Sequence, residues 1–160
     1  MLKKDQVVLL SDWIEQSTST LFEIKKLDTT VKNFLPGFQK GKEAFSGFEV
    51  TRLDSNTIYR FIFIHSQPNE DFQFVIYSHN KKALAELKQI EMIDGHPHLV
   101  WKYNPLKRDG LNQERKTYFI KTFGSTTLQI PLPKSSSDVE TFFDQLFTLC
   151  QNRLEADTIV

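Results

Sequence analysis

Between Gly47 and Ser78 the apolar residues recur at every second position, and no other feature of the sequence constrains the fold as strongly. A period of two is that of a strand, where successive side chains leave opposite faces. Gly47 to Leu53 and Thr57 to His65 read as strands joined by Asp54-Ser55-Asn56, and Phe72 to Ser78 as a third strand after a polar turn from Ser66 to Asp71. In the second of these, Tyr59, Phe61 and Phe63 share one face while Ile58, Ile62 and Ile64 share the other. A strand apolar on both faces is expected at the centre of a sheet covered on both sides. Fourteen Phe against two Met imply a core of rigid rings, which suits sheet faces better than a plain helical bundle.

Elsewhere the spacing changes. Leu10, Trp13, Ile14, Leu21, Ile24, Leu27, Val31 and Phe34 recur at helical steps, predicting helix from Asp5 to Leu35 with a break at Ser17-Thr18-Ser19-Thr20 and a stop at Pro36-Gly37. Asn80 is placed to cap a short middle helix carrying Leu84, Leu87 and Ile90, ended by Asp94-Gly95. A strand from His98 to Tyr103, a charged loop from Asn104 to Glu114, and a hairpin of Lys116 to Phe123 and Thr126 to Leu132 about Gly124-Ser125 follow. Leu128, Ile130 and Leu132 point inward in the second arm, and Pro131 marks it as an edge. Ser137-Asp138-Val139-Glu140 has the capping-box pattern ahead of a last helix whose apolar face is Val139, Phe142, Phe143, Leu146, Leu149 and Cys150. The expected fold is α+β, a mainly antiparallel mixed sheet of about six strands with N-terminal, middle and C-terminal helices packed on it. Residues 1–160 are expected to form one domain, with the Gly37 to Ser46 stretch as its longest linker; such a domain would also suit the N-terminal module of a longer protein.

Twenty basic and twenty acidic side chains cancel, so any charged function has to come from local clustering. Cys150 is the only cysteine, which excludes an intrachain disulfide or multi-cysteine zinc site and agrees with a reducing compartment; its expected role is a small buried hydrophobe. Val7 to Leu10 is too short an apolar run for a signal peptide or membrane span. The expectation is a cytoplasmic protein without membrane contact.

Local clustering is strongest from Trp101 to Phe123. Lys102, Lys107, Arg108, Arg115, Lys116 and Lys121 stand against Asp109 and Glu114, interleaved with Trp101, Tyr103, Tyr118, Phe119 and Phe123. Positive side chains beside flat rings are what phosphate contact and base stacking require. Lys107, Arg108, Arg115 and Lys116 are candidate phosphate contacts, Asn112 and Arg115 candidate base readers, and Trp101 or Tyr103 a candidate stacking platform, with Lys102 and Lys121 completing the nucleic-acid-binding set. The reading is a non-catalytic nucleic-acid-binding recognition module, for DNA ahead of RNA. A second is a protein-interaction domain, such as an inhibitor or immunity protein, using the N-terminal helix or the hairpin edge.

A third is a metal-dependent, nuclease-like enzyme built on Asp94, His96, His98 and Glu114, with His65 and His79 at neighbouring strand ends. Helix, three strands, helix, strand is an order similar to that of PD-(D/E)XK nucleases, and Glu114-Arg115-Lys116 has their acid-x-Lys triplet. That family carries the triplet on its third strand, however, which here reads Phe72-Gln73-Phe74-Val75-Ile76-Tyr77. No glycine-rich phosphate loop or nucleophile elbow occurs, and no cofactor is expected.

Overall fold

The alternating segment forms the long strands of an antiparallel sheet in the computed structural model, which describes residues 1–28, 42–66 and 71–159. The first sheet contains β1 (Phe22–Lys26), β2 (Lys42–Arg52), β3 (Thr57–Ser66), β4 (Asp71–Ser78) and β5 (Ala83–Leu87) in sequence order, each pairing antiparallel with the next. β3 is its centre, as a strand apolar on both faces requires. Tyr59, Phe61 and Phe63 enter the main core, while Ile62 and Ile64 join Val75 and Tyr77 in a smaller cluster on the other face. The second sheet contains β6 (Gln89–Ile93), β7 (His96–Lys102) and β8 (Thr127–Pro131), again antiparallel, with β8 and its Pro131 at an edge.

Three helices pack on this frame: α1 (Lys4–Gln16), α2 (Asn112–Phe123) and α3 (Val139–Asp157). In α1 the buried Val7, Leu10, Ser11 and Ile14 follow a spacing of three, one and three, a single helical face. α3 lays Phe142, Phe143, Leu146 and Phe147 on the sheet, with the ring of Phe143 4.8 Å from Phe61 and that of Phe147 4.7 Å from Tyr59. Each such buried ring is worth about 1.5–3 kcal/mol over leaving it in water, so this contact dominates the core. Cys150 is fully buried among them, and burial pushes its thiol well above the usual range, making it the inert hydrophobe expected.

Three segments differ from their expected form. The spacing of Leu21, Ile24 and Leu27 predicts helix, but Ser17 closes α1 on the Ile14 carbonyl, and the Ser19 hydroxyl accepts the N–H groups of Leu21 and Phe22, turning the chain into β1. Val31, Phe34, Pro36 and Gly37 lie outside the described residues, as do 67–70 of the expected polar turn. The described part of the expected Gly37 to Ser46 linker belongs to β2, which already begins at Lys42.

The middle helix is absent. Asn80 sits in the β4–β5 turn, where the Ser78 N–H donates to the Lys82 carbonyl and Lys81 takes φ 65°, and Leu84, Leu87 and Ile90 lie on two strands. Lys88 alone separates β5 from β6, so the chain passes from one sheet to the other at one residue; its carbonyl accepts the Leu2 N–H, and the Leu2 carbonyl accepts the Phe72 N–H.

The first arm of the expected hairpin is instead α2. Gly124, at φ 76°, ends it by donating its N–H to the Ile120 carbonyl, so this glycine stops a helix where a strand turn was expected. The capping box before α3 is also unformed: the Asp138 carboxylate accepts the Lys134 N–H, and Glu140 is taken by the Ser19 hydroxyl.

Candidate functional site

Strand alternation sends Leu99 and Trp101 of β7 into the core and leaves Lys102 exposed at its end. Trp101 is buried, its ring 5.1 Å from Phe119 of α2, so it is a wall of the core and offers no stacking face to solvent. Tyr103 is half-buried against Phe119, with its hydroxyl buried and without a hydrogen-bond partner.

The buried face of α2 is Arg115 and Phe119, one turn apart. Arg115 is 97% buried, and each of its nitrogens is used: Nη1 and Nη2 donate to the Asp109 carboxylate at 2.6 and 3.1 Å, Nη1 also reaches the Asn112 side-chain oxygen at 3.5 Å, and Nε donates to the Ala156 carbonyl at 3.2 Å. Arg115, and after it the Leu111 N–H, hold the Asp109 carboxyl below its ordinary range. Arg115 is therefore the brace between the loop, α2 and α3, and its expected part in phosphate contact and base reading is corrected to a structural one. The same holds for Trp101 as a stacking platform.

The remaining candidates reach the surface. Lys102, Lys107, Arg108 and Lys121 are exposed, and Asn112 and Lys116 are half-buried. Among the described residues none of these cations lies within ion-pair distance of a carboxylate. Lys107 makes one long contact, 3.5 Å, to the Asp157 carbonyl. Lys116 and Lys121 are five positions apart on α2, about 140° around its axis, so they leave opposite flanks. Lys116 shares the side of Asn112, one turn earlier; Lys121 stands apart from the set.

Arg153 completes the region, and the sequence reading missed it. It follows Leu146, Leu149 and Cys150 in the apolar phase of α3, three residues beyond Cys150, and a cation at that phase was the available signal. The side chain is 96% buried, with its guanidinium carbon 4.6 Å from the Trp101 ring and 5.6 Å from the Tyr103 ring. Desolvation lowers its pKa to about 10. Arg153 lines a groove of about 750 Å³ between β5 on one side and β6 and β7 on the other; Leu84, Ala85, Ile90, Lys102 and Asn104 also contribute.

At the opposite end of β7 the surface is apolar. Val8 and Leu9 of α1 are 39% and 51% exposed, and Leu9, Trp13, His96, Pro97, Leu132 and Pro133 line a cleft of about 260 Å³. The candidate histidine ligands are used locally: His96 Nε2 pairs with the Leu132 carbonyl at 2.7 Å and His98 Nδ1 with the His96 carbonyl at 2.9 Å. His65 stacks on Phe72, and His79 lies in the β4–β5 turn. Glu114 sits in the first turn of α2, so the acid-x-Lys triplet is helical. Among the described residues no three His, Cys, Asp or Glu side chains are grouped to hold a metal ion, and no helix is long and apolar enough to cross a membrane. Comparison with protein-family models, with curated proteins and with solved structures finds no match.

Proposed function

We propose that this chain is a non-catalytic nucleic-acid-binding recognition module, with DNA ahead of RNA as its target. The observation that carries the reading is the pairing of the exposed Asp109 carboxylate with the buried Arg115. Because that carboxylate is taken by Arg115, Lys102, Lys107, Arg108 and Lys116, which follow one another from the end of β7 to the first turns of α2, have no ion-pair partner among the described residues. Unpaired cations on a rigid corner release counterions when they meet phosphates, and that release is the main sequence-independent source of affinity. Asn112, on the flank of Lys116, is the candidate base reader; its Oδ1 meets Arg115 Nη1 at 3.5 Å, so its amide N–H groups are the ones to donate to a base edge. Trp101 and Arg115 hold the corner in shape and take no part in contact.

A screen with duplex DNA, single-stranded DNA and RNA at low salt tests this. Four phosphate contacts predict a log–log salt slope of roughly −3 to −4, and Arg108→Glu or Lys116→Glu should each weaken binding at least about tenfold. Absence of binding to all three sinks the reading.

The exposed Val8 and Leu9 beside the Trp13 and Pro133 cleft favour a second reading, a protein-interaction domain that uses α1. An apolar interface of that kind would keep its affinity across the same salt range, and Leu9→Asp would abolish it.

A further inference from the structure

Arg153 is a buried cation without a direct ion pair: the Asp157 carboxylate acts on it only from a distance and is itself paired with Lys82. Among the described residues no carboxylate lies within ion-pair distance of it, although buried arginines are ordinarily paired. Of its five N–H donors, Nε reaches the Leu84 carbonyl at 3.3 Å and Nη2 reaches the Asn104 side-chain oxygen at 3.4 Å; Nη1 has no acceptor among the described residues. The rings of Trp101 and Tyr103 lie against the guanidinium, 4.6 and 5.6 Å from its carbon, and its N–H hydrogens lie in the guanidinium plane. That is the geometry in which arginine receives two oxygens of one anion.

The surrounding groove has the dimensions for more than the anion alone. Its volume of about 750 Å³ falls within the range of small-molecule sites, and Leu84, Ile90, Val100 and Leu106 supply apolar wall. β5 and β6 are terminal in their sheets among the described residues, so each carries backbone donors and acceptors on its unpaired side. Lys88 and Lys102 line the groove together with the carboxylates Glu86 and Glu91. With Arg153 the lining is net positive at neutral pH.

We infer that the groove is a receptor for a phosphoester of about nucleotide size, whose phosphate is held in plane by the guanidinium of Arg153. The phosphate belongs either to a free nucleotide, in which case the site is independent of the nucleic-acid reading, or to a strand, in which case it rests on that reading.

The test is titration of the full chain with adenosine monophosphate, inorganic phosphate and a single-stranded oligonucleotide, followed by calorimetry and by tryptophan fluorescence, since Trp101 touches the guanidinium. Saturable binding of adenosine monophosphate, weakened about 10–100-fold in Arg153→Met, is the expected result. Ala83 is an exposed position of the groove wall, so Ala83→Glu should keep the melting temperature and weaken binding at least about tenfold; it decides the matter if Arg153→Met fails to fold. Nucleotide binding that survives Arg108→Glu while oligonucleotide binding is lost supports a site for free nucleotides. Failure to bind any of the three ligands overturns the inference, as does nucleotide binding unchanged in Ala83→Glu. Oligonucleotide binding that is intact in Ala83→Glu, with no response to adenosine monophosphate, overturns the groove and leaves the exposed lysine corner standing.

Discussion

The two ends of β7 lie about 20 Å apart and are finished in opposite ways. At Lys102 the aromatic side chains are covered and the cations are left over; at His96 one ring nitrogen each of His96 and His98 meets a carbonyl and aliphatic side chains are left over. One strand thus presents two surfaces that attract different classes of partner. The cause is local. α2 arrives at the Lys102 end with Phe119 to cover Trp101 and Arg115 to absorb the acid, whereas α1 arrives at the His96 end with Val8 and Leu9 turned outward.

The contrast is broken most severely by truncating the covered ring. Trp101→Ala removes a buried side chain that Phe119, Tyr103 and Arg153 all rest on, and should cost about 3–5 kcal/mol in chemical denaturation. A loss below about 1 kcal/mol would show that the corner is held by something else. Gly124→Ala is next, at about 1–2 kcal/mol, because a Cβ meets no atom within 4 Å there but the left-handed backbone at φ 76° disfavours it. Leu9→Ala, a truncation at the other end, should stay within about 0.5 kcal/mol, which separates an exposed apolar face from a covered one.

The subtlest effect is one of pH. Asp109 has a depressed folded-state pKa, so the stability it contributes is fully present above the ordinary carboxylate range, near pH 4, and is lost as pH falls through the depressed value. Amide exchange along α2 should accelerate in that acid window, and Asp109→Asn should remove the dependence. Exchange that is flat with pH in the parent chain would show that Arg115 does not need its acid.

What the sequence disclosed follows from how much of each pattern was physical necessity. β2 to β4 were legible because Phe61, Phe63 and Phe74 must alternate with residues of the other face over eight or more positions, too long for a helix to imitate. Leu84, Leu87 and Ile90 fit a spacing of three as readily as two short strands, and nothing local separates the alternatives. α2 was hidden because its inner face carries Arg115 where an aliphatic residue would have declared it.

The candidate site divided the same way. Exposure of Lys107 and Arg108 could be read from a polar loop, but whether an arginine faces water or braces two helices depends on Asp109 and on a carbonyl forty-one positions away. Arg153 lay one turn beyond the last residue assigned to the apolar face of α3.

The junction at Lys88 has a mechanical consequence. The two walls of the groove are successive stretches of one chain with a single-residue corner, and Leu2 pins that corner to β4. The gap between them is therefore set by backbone geometry, in the way a caliper locked at one setting accepts a single thickness. For the inferred ligand, such a gap would select by size before charge, and deleting Leu2, whose backbone N–H and carbonyl make both bonds, would reset the gauge.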